Sequence, residues 1–444
     1  MAREVPGTSR PRGTEREVKL RDVIPSRWQR LHSGPRPSIS WLAPFAVALA
    51  VSAAHANGAF PDELSVHFPA SAPHRILLGS NFGLLVSEDD GASWRYACEP
   101  YVTSGSTSSL SPANVSFYQI TADGAILEDS VDLRRSVDVA CTWPASSGSV
   151  AGSVVSDVFA DPTDPGFVLA ILAAINGSSI VASRDGGTTF GAPLYTTSDL
   201  VTSVESARSA RGVVYATKVG IRGGATLLRS ADWGTTWNTM ATLAGAGTQP
   251  SILAIDPADA NTVYLRLLAG ANDSIAITTD GGQTVQVALT VSGAFTSFLR
   301  ATDGALYAGQ LEGNLYVRPA GATSFARRSG PRLRCLGQRL GTSRIFACGD
   351  MFQDGFSLGY SDDGGQTFLP MMSFSQILGL LTCAPVQSAC AAHWERIQGV
   401  LGIAPDAGQP RPAAPGGSHC ATVGGEPSVL LVLLALCHHF RRKS

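Results

Sequence analysis

Acidic side chains at a regular spacing are the first residues in this sequence that could do chemistry. In six places an aspartate stands two positions after a Ser or Thr, two positions before a Gly or Ala and four positions before another Ser or Thr; these aspartates are Asp89, Asp138, Asp185, Asp232, Asp280 and Asp363. A carboxylate of this kind could act as an acid, base or nucleophile in glycoside hydrolysis, which needs two such groups. A catalytic pair occurs once, whereas these residues recur along the chain. We therefore predict that the six are structural and not catalytic.

The aspartates belong to a recurring turn with the pattern S-x-D-x-G-x-T-(aromatic), best seen in Ser361–Phe368. Its seven copies begin at positions 87, 136, 183, 230, 278, 318 and 361. An Asp carboxylate can accept hydrogen bonds from its own turn, and Gly adopts the positive φ that such a turn requires. The copy at Ser136 lacks the glycine, and the copy at Arg318 keeps only the end of the pattern. Units of roughly 45 residues predict four-stranded propeller blades.

This turn resembles the Asp-box, or bacterial neuraminidase repeat, of sialidases, sortilin-type receptors, some endoglucanases and photosystem II assembly factors. The resemblance covers about residues 60–400. It implies an all-β fold, a seven-bladed β-propeller of four-stranded blades with Asp-box turns, over residues 57–400. It implies little about activity, because these families share the turn and not a reaction.

Each blade is predicted to contain three strands, the recurring turn and a fourth strand. The first blade should begin near Leu64–Phe68, and the last strand of the seventh blade should begin within Phe368–Ser373. The D-P-x-D turns at Asp161 and Asp256 occupy the same place in their repeats, and D-G turns at Asp123 and Asp303 take that place in two others. Their repeated position predicts a structural role.

Other catalytic motifs are missing from the sequence. It contains no H-E-x-x-H, Walker loop or dinucleotide fingerprint, so we predict no catalytic residues, no cofactor and no metal site. A sialidase would need F/Y-R-I-P in its first repeat, and the nearest string, Pro73–Leu77, has only Arg-Ile. Glu312, Asp350 and Asp354 lie outside the recurring turns. They keep open the alternative of a glycoside hydrolase of sialidase-like or endoglucanase-like propeller type.

Six of the eight cysteines lie in the propeller region: Cys98, Cys141, Cys335, Cys348, Cys383 and Cys390. Sequence proximity predicts the bridges Cys335–Cys348 and Cys383–Cys390, which leaves Cys98 with Cys141. Such a set is typical of an exported protein. A metal site would require histidines beside the cysteines, and only His393 is near.

Residues 1–56 are interpreted as an N-terminal extension and signal peptide. An apolar run, Ile39–Ala54, follows a basic stretch that ends at Arg36, and Ala54-His55-Ala56 fits a cleavage site after Ala56. The alternative is an uncleaved membrane anchor. Residues 391–400 are predicted to form a short closing helix.

The C-terminal end is interpreted as a linker followed by a sorting tail. Residues 401–419 form a Pro/Ala/Gly-rich linker, and residues 420–444 begin with Cys420, continue through the apolar run Val429–Cys437 and end in a basic cluster. This order resembles the MYXO-CTERM tail of myxobacterial surface proteins. The resemblance implies transient membrane attachment, processing near Cys420, and a location at the cell surface or outer membrane, or secretion. An uncut anchor is the alternative.

The composition limits the partners that the protein could have. Lys and Arg number 33 against 35 Asp and Glu, which gives no support for nucleic-acid binding. The preferred interpretation is a monomeric, exported and non-catalytic binding or interaction module. Its ligand is an unidentified glycan or protein. A purely structural component of the cell envelope is the alternative.

Overall fold

The chain folds into strands over the whole repeat region, as its alternation of apolar runs and turn residues predicts. The computed structural model describes residues 63–103, 117–129, 132–221, 223–245 and 247–403. All of these belong to one compact unit, Ala56–Ser444. Seven sheets follow one another along the chain and form the ring of a seven-bladed β-propeller. The predicted fold class is confirmed.

In each blade the strands run in chain order from the inner to the outer edge, and neighbouring strands are antiparallel. In blade 3 the fourth place is divided between two short strands that both pair with the third. Blade 1 contains β1 (Glu63–His67), β2 (Ile76–Ser80), β3 (Gly83–Ser87) and β4 (Trp94–Cys98), followed by the short helix α1 (Glu99–Val102). Blade 2 contains β5 (Phe117–Ile120), β6 (Ile126–Asp129) and β7 (Leu133–Ser136). The two-residue strand β8 (Ser147–Gly148) comes next, and then blade 3 with β9 (Val154–Ala160), β10 (Val168–Ala174), β11 (Gly177–Ser183), β12 (Thr189–Phe190) and β13 (Tyr195–Thr197).

The remaining blades have four regular strands each. Blade 4 contains β14 (Leu200–Ser206), β15 (Val214–Val219), β16 (Ala225–Ser230) and β17 (Asn238–Ala244), and blade 5 contains β18 (Thr248–Ile255), β19 (Val263–Ala269), β20 (Asn272–Thr278) and β21 (Gln286–Ser292). Blade 6 contains β22 (Ser297–Arg300), β23 (Leu306–Gly309), β24 (Asn314–Arg318) and β25 (Ala326–Ser329). Blade 7 contains β26 (Cys335–Gln338), β27 (Ile345–Cys348), β28 (Leu358–Ser361) and β29 (Leu369–Met372).

Blade 2 has an irregular outer edge. Its fourth segment is bonded to β7 through the amide of Arg135 on the carbonyl of Pro144 (3.0 Å) and the amide of Ser146 on the carbonyl of Leu133 (2.8 Å). Proline has no N–H to donate, so a regular ladder cannot continue through Pro144. The blade count predicted from the turns therefore holds, although this blade has only three regular strands.

The core lies between adjacent blades, because both faces of each sheet pack against a neighbour. The central strand β10 presents buried side chains from Val168 to Ile171. Phe167, Leu169 and Ile171 of blade 3 share one cluster with Val201 and Val214 of blade 4. A central strand buried on both faces is apolar along its length, unlike a strand with one solvated face. This packing fixes the position of each inner strand around the axis.

The ring is closed by the segment that follows blade 7. Strand β30 (Ile377–Leu380) pairs in parallel with β4 at the outer edge of blade 1, and helix α2 (Ala384–Ile397) follows it. This helix begins earlier than the predicted 391–400. In the described ranges, no helix combines the length and the apolar surface needed to cross a membrane.

Two of the three predicted disulfides are wrong. The bridges are Cys98–Cys390, with a Cα separation of 5.6 Å, Cys141–Cys383, with 6.0 Å, and the correctly predicted Cys335–Cys348, with 4.8 Å. Cys383 caps the N-terminus of α2 and Cys390 lies within it. At a rise of 1.5 Å per residue they stand about 10 Å apart, too far for a direct bond. Instead each joins the closing segment to blade 1 or to the turn of blade 2.

The predictions for both chain ends concern residues outside the described ranges. These are the signal peptide with its cleavage site at Ala56, most of the linker, and the tail with Cys420.

Candidate functional site

The recurring turns form the same hydrogen-bond network at six places, between the third and fourth strand of a blade. In blade 3 the Ser183 hydroxyl donates to Asp185 Oδ1 (2.7 Å), the Thr189 amide donates to the same oxygen (2.8 Å), and the Thr189 hydroxyl donates to Oδ2 (2.6 Å). The Gly187 amide donates to Ser183 Oγ (2.8 Å). Equivalent bonds hold Asp89, Asp138, Asp232, Asp280 and Asp363.

These bonds keep the turn carboxylates ionised. Desolvation opposes ionisation of Asp185, but the bonds from Thr189 and Ser183 outweigh it and lower the pKa to about 2. The amide and hydroxyl of Thr284 lower the pKa of Asp280 to about 2 as well. A carboxylate with this pKa is a weak base, and its oxygens already accept bonds within the turn. The geometry matches a local lock on the backbone.

The fifth residue of each intact turn also packs against the preceding blade. A Cβ added at Gly187 of blade 3 would stand 2.7 Å from Leu127 of blade 2, and one at Gly282 of blade 5 would stand 2.8 Å from Leu227 of blade 4. At Gly91 of blade 1 the nearest atom would be in Met371 of blade 7, at 3.0 Å. This position is buried in all six intact turns. The turns therefore add a contact between neighbouring blades, although a cavity of about 590 Å³ still lies beside the intact turn of blade 1, at Asp90 and Met371.

Blade 6 lacks the contact between the fifth turn residue and the preceding blade. Its turn, Arg318–Phe325, has Arg and Ala320 where the other turns have Ser or Thr and Asp. Its fifth residue, Ala322, is exposed, and the Ala322 amide bonds only to the carbonyl of Pro319 (3.0 Å) as in an ordinary turn. A cavity of about 630 Å³ opens between this turn and blade 5. We call it the blade 5/6 groove.

The groove is lined mainly by hydrogen-bonding side chains. Those available to a ligand include Asp259, Thr262, Thr284, Gln286, Arg318 and Thr323. At its inner end, Asp256 Oδ2 accepts bonds from Arg300 (2.9 Å) and from the Tyr264 hydroxyl (3.2 Å). Asp259 accepts the Asn261 amide and the Thr262 hydroxyl. Both carboxylates are thus held in place by neighbours, and the groove offers polar contacts for binding.

A second set of acidic residues lies on strands of blades 2, 3 and 4. Removal from water raises the pKa of Asp157 to about 6, although the amide of Val204 donates to its Oδ2 (3.0 Å). Burial and the nearby Asp157 raise the pKa of Asp129 to about 7 and that of Glu205 to about 8. Groups of this kind can carry a proton near neutral pH. These residues were not predicted from the sequence, although an acidic residue inside an apolar inner strand is a signal that could have identified them.

A smaller cavity, of about 300 Å³, is lined by Ser156, the residue before Asp157, and by none of the three carboxylates of raised pKa. It lies at the inner strands of blades 3, 4 and 5, and its lining includes Ser156, Thr202, Gln249 and Arg266. Arg266 is paired with the buried carboxylate of Asp273 at 2.7 Å.

The carboxylates proposed from sequence for a hydrolase lie in loops of blades 6 and 7. Glu312 is exposed in a loop of blade 6, whereas Asp350 and Asp354 share one loop of blade 7. There, Asp354 Oδ2 accepts the amides of Asp350 (2.8 Å) and Arg332 (2.9 Å). These bonds indicate a loop-stabilising role.

Two other features considered from the sequence are the Arg-Ile string and a possible metal site. Arg75 of the Arg-Ile string is bonded to Glu88 at 2.8 Å. Within the described ranges, no group of three His, Cys, Asp or Glu side chains is arranged to hold a metal ion.

No protein-family model and no curated protein matches this chain. Several solved structures resemble it. The GH74 enzyme of Niastella koreensis is 13% identical with a TM-score of 0.40, over 70% of this chain and 46% of the enzyme. YCF48 bound to a D1 peptide is 17% identical with a TM-score of 0.33, over 49% of this chain and 69% of YCF48. The Dos1 propeller is 10% identical with a TM-score of 0.47, over 70% and 84%. The chain thus spans about half the length of the GH74 enzyme, and at these values the similarities carry no information on function.

Proposed function

We propose that this protein is an exported, surface-displayed and non-catalytic binding module whose ligand occupies the blade 5/6 groove. The observation that carries the proposal is the altered turn of blade 6. Where the other turns bury their fifth residue against the preceding blade, Ala322 is exposed and a polar groove of about 630 Å³ is open. A concave site lined by a few convergent polar groups is the usual form of a ligand site.

The side chains of the groove favour binding over catalysis. Asp256 is ion-paired with Arg300, and Asp259 is bonded to two groups of its own turn. Hydrogen bonding lowers the pKa of Asp259, through the Asn261 amide first and the Thr262 hydroxyl second. A carboxylate kept ionised in this way does not serve as a general acid near neutral pH. It can accept hydrogen bonds from the hydroxyls of a glycan or the amides of a polypeptide.

Three disulfides support the export that is part of this proposal, because such bonds persist mainly in oxidising compartments. The six hydrogen-bonded turns likewise support an Asp-box identity for the repeats.

We propose cleavage after Ala56 and processing near Cys420, as their sequence contexts indicate. Mass spectrometry of the terminal peptides tests both: loss of processing in Cys420→Ala supports the sorting tail, and an intact Val429–Ser444 on the mature protein contradicts it.

The binding proposal is tested by probing the full-length protein on glycan and peptide arrays and assaying the same sample against a panel of glycosides. We expect saturable binding without turnover, and loss of binding in Ala322→Trp, which fills the groove. Ala231→Trp, at an exposed turn position of blade 4, is the matched control and should bind normally. Binding that survives Ala322→Trp would place the ligand elsewhere.

A glycoside hydrolase is the second candidate, and the acidic set around Asp157 favours it. A carboxylic acid whose pKa is raised to about 8, as for Glu205, can donate a proton to a leaving group at neutral pH. The smaller cavity at Ser156, the residue before Asp157, would then have to admit the substrate. Turnover that is abolished by Asp157→Asn or Glu205→Gln, and unaffected by Ala322→Trp, would establish this candidate in place of the first.

A further inference from the structure

Two blades carry an additional strand on their outer edge, and both additions are parallel. Strand β30 pairs with β4 of blade 1, with Ile377 opposite Trp94. Strand β8 pairs with β12 of blade 3, with Gly148 opposite Phe190. In both cases the added segment follows the preceding blade along the ring. The outer edge of a blade in this protein therefore accepts an extended segment as a fifth strand.

The additions occupy equivalent places relative to the recurring turn. The first residue of the turn is its Ser. Strand β8 pairs with the seventh and eighth positions, Thr189 and Phe190, and β30 pairs with the eighth and tenth positions, Trp94 and Tyr96. The same positions in blade 5 fall within Thr284–Val287. Thr284, Gln286 and Val287 of that stretch also line the blade 5/6 groove. The groove thus lies at the place where blades 1 and 3 receive their fifth strand.

Among the described strands, β13, β17, β21, β25 and β29 are outer edges with no further strand beside them. Two of these edges contain residues that discourage pairing: β25 has Arg327 and Arg328, and β29 has Pro370. Strand β21, Gln-Val-Ala-Leu-Thr-Val-Ser, has neither charge nor proline, and Val287 is 59% exposed. Strands β13 and β17 are also uncharged, but β13 has only three residues, and the ladder of β17 is interrupted twice whereas that of β21 is interrupted once. Neither β13 nor β17 lines the two cavities. Strand β21 is therefore the outer edge best suited to pairing with a further strand.

We propose that β21 receives an extended polypeptide segment of a partner protein as a parallel fifth strand, with alternate side chains of that segment in the blade 5/6 groove. This inference rests on the proposed function, because it names the ligand class of the same groove. Main-chain hydrogen bonds to the strand edge supply affinity in this mode of recognition, and side-chain pockets supply specificity. Hydroxyl and amide groups of Thr262, Thr284, Gln286 and Thr323 favour polar side chains at the groove-facing positions.

The test uses peptides selected by the full-length protein from a random-peptide phage library. Selected peptides should slow hydrogen exchange of the amides of β21, and replacing their backbone N–H groups by N-methyl should abolish binding. Val287→Lys places a charge on the edge and should raise Kd by about tenfold or more. Leu369→Lys is the matched control, because Leu369 is 51% exposed on an outer strand that already contains a proline. Its Kd should equal that of the wild type, and thermal melting should confirm that both variants fold.

Each other outcome overturns the inference in a distinguishable way. A peptide whose binding survives N-methylation or Val287→Lys contacts the protein through side chains and not through the edge. If glycans bind in a manner sensitive to Ala322→Trp and no peptide does, the fifth strand is wrong and the proposed function stands. If β21 is already protected in the full-length protein and deletion of residues 404–444 removes that protection, the occupant is the chain's own tail. Glycoside turnover without binding to the groove contradicts both proposals.

Discussion

Replacement of Asp185 by Ala should destabilise the propeller without affecting ligand binding. The change removes the acceptor of three hydrogen bonds, from the Ser183 hydroxyl, the Thr189 amide and the Thr189 hydroxyl. A protein donor left without its partner costs about 1–3 kcal/mol when buried. Thr189 is exposed and can turn to water, so we expect the lower half of this range.

The assay is equilibrium unfolding of Asp185→Ala beside the wild type. Each kcal/mol corresponds to a shift in Tm of about 2–4 °C for domains of 150–250 residues, and to less in a larger one. Glu312→Ala removes an exposed loop carboxylate and serves as the control, with an unchanged Tm.

The pH dependence gives an independent check on the same bond network. Because the folded pKa of Asp185 is lowered from 3.8 to about 2, its contribution to stability is complete above pH 4 and disappears as the pH falls towards 2. The difference between wild type and Asp185→Ala should therefore shrink over that interval. An unchanged Tm together with a lost binding activity would show that Asp185 contacts ligand and would refute its assignment as a turn lock.

Two further predictions concern the closing segment and the acidic set. Breaking Cys98–Cys390 by a double Ala replacement should cost about 3–5 kcal/mol, more than the about 3 kcal/mol expected for Cys335–Cys348. With Cys141–Cys383 intact, Cys98–Cys390 closes an unfolded-chain loop that consists of the stretches 98–141 and 383–390, about 50 residues, whereas Cys335–Cys348 closes one of 13. Denaturant unfolding of the two variants compares them, and equal costs would contradict the ring-closing role. Glu205→Gln should stabilise the protein relative to wild type as the pH rises from about 4.5 to 8, by on the order of 1–4 kcal/mol. The reason is that a folded pKa raised to about 8 makes ionisation of Glu205 oppose folding over that interval. A pH-independent difference in unfolding free energy between the two proteins would contradict the raised pKa.

The blade number and the turn positions could be predicted from the sequence because both depend on local residue types. Ser, Asp, Gly and Thr within eight residues determine one turn, and the aromatic residue that follows begins the next strand. Trp94, which fills that position in blade 1, is fully buried. The altered copy at Arg318 was visible in the same way. The groove between this altered turn and blade 5 could not be predicted, because the fifth turn residue contacts the preceding blade only in the folded protein.

The disulfide pairing failed for a related reason. Cys335 and Cys348 face each other across one hairpin, so sequence proximity predicts their bond. Cys383 and Cys390 are close in sequence, but the helix that carries them sets them about 10 Å apart. Their partners lie in blades 1 and 2, which meet the C-terminal segment only when the ring closes. The proximity of Asp157 and Glu205 could not be predicted for the same reason, since blades 3 and 4 must pack together before their carboxylates interact.

The most direct measurement of the central claim is hydrogen exchange of the full-length protein with and without a ligand taken from the arrays. If the protein is a binding module that uses the blade 5/6 groove, the ligand should protect Thr284–Ser292 and the altered turn Arg318–Phe325, and Ala322→Trp should abolish that protection. Protection confined to the inner strands around Asp157 and Glu205, together with conversion of the ligand to product, would contradict the claim and identify an enzyme.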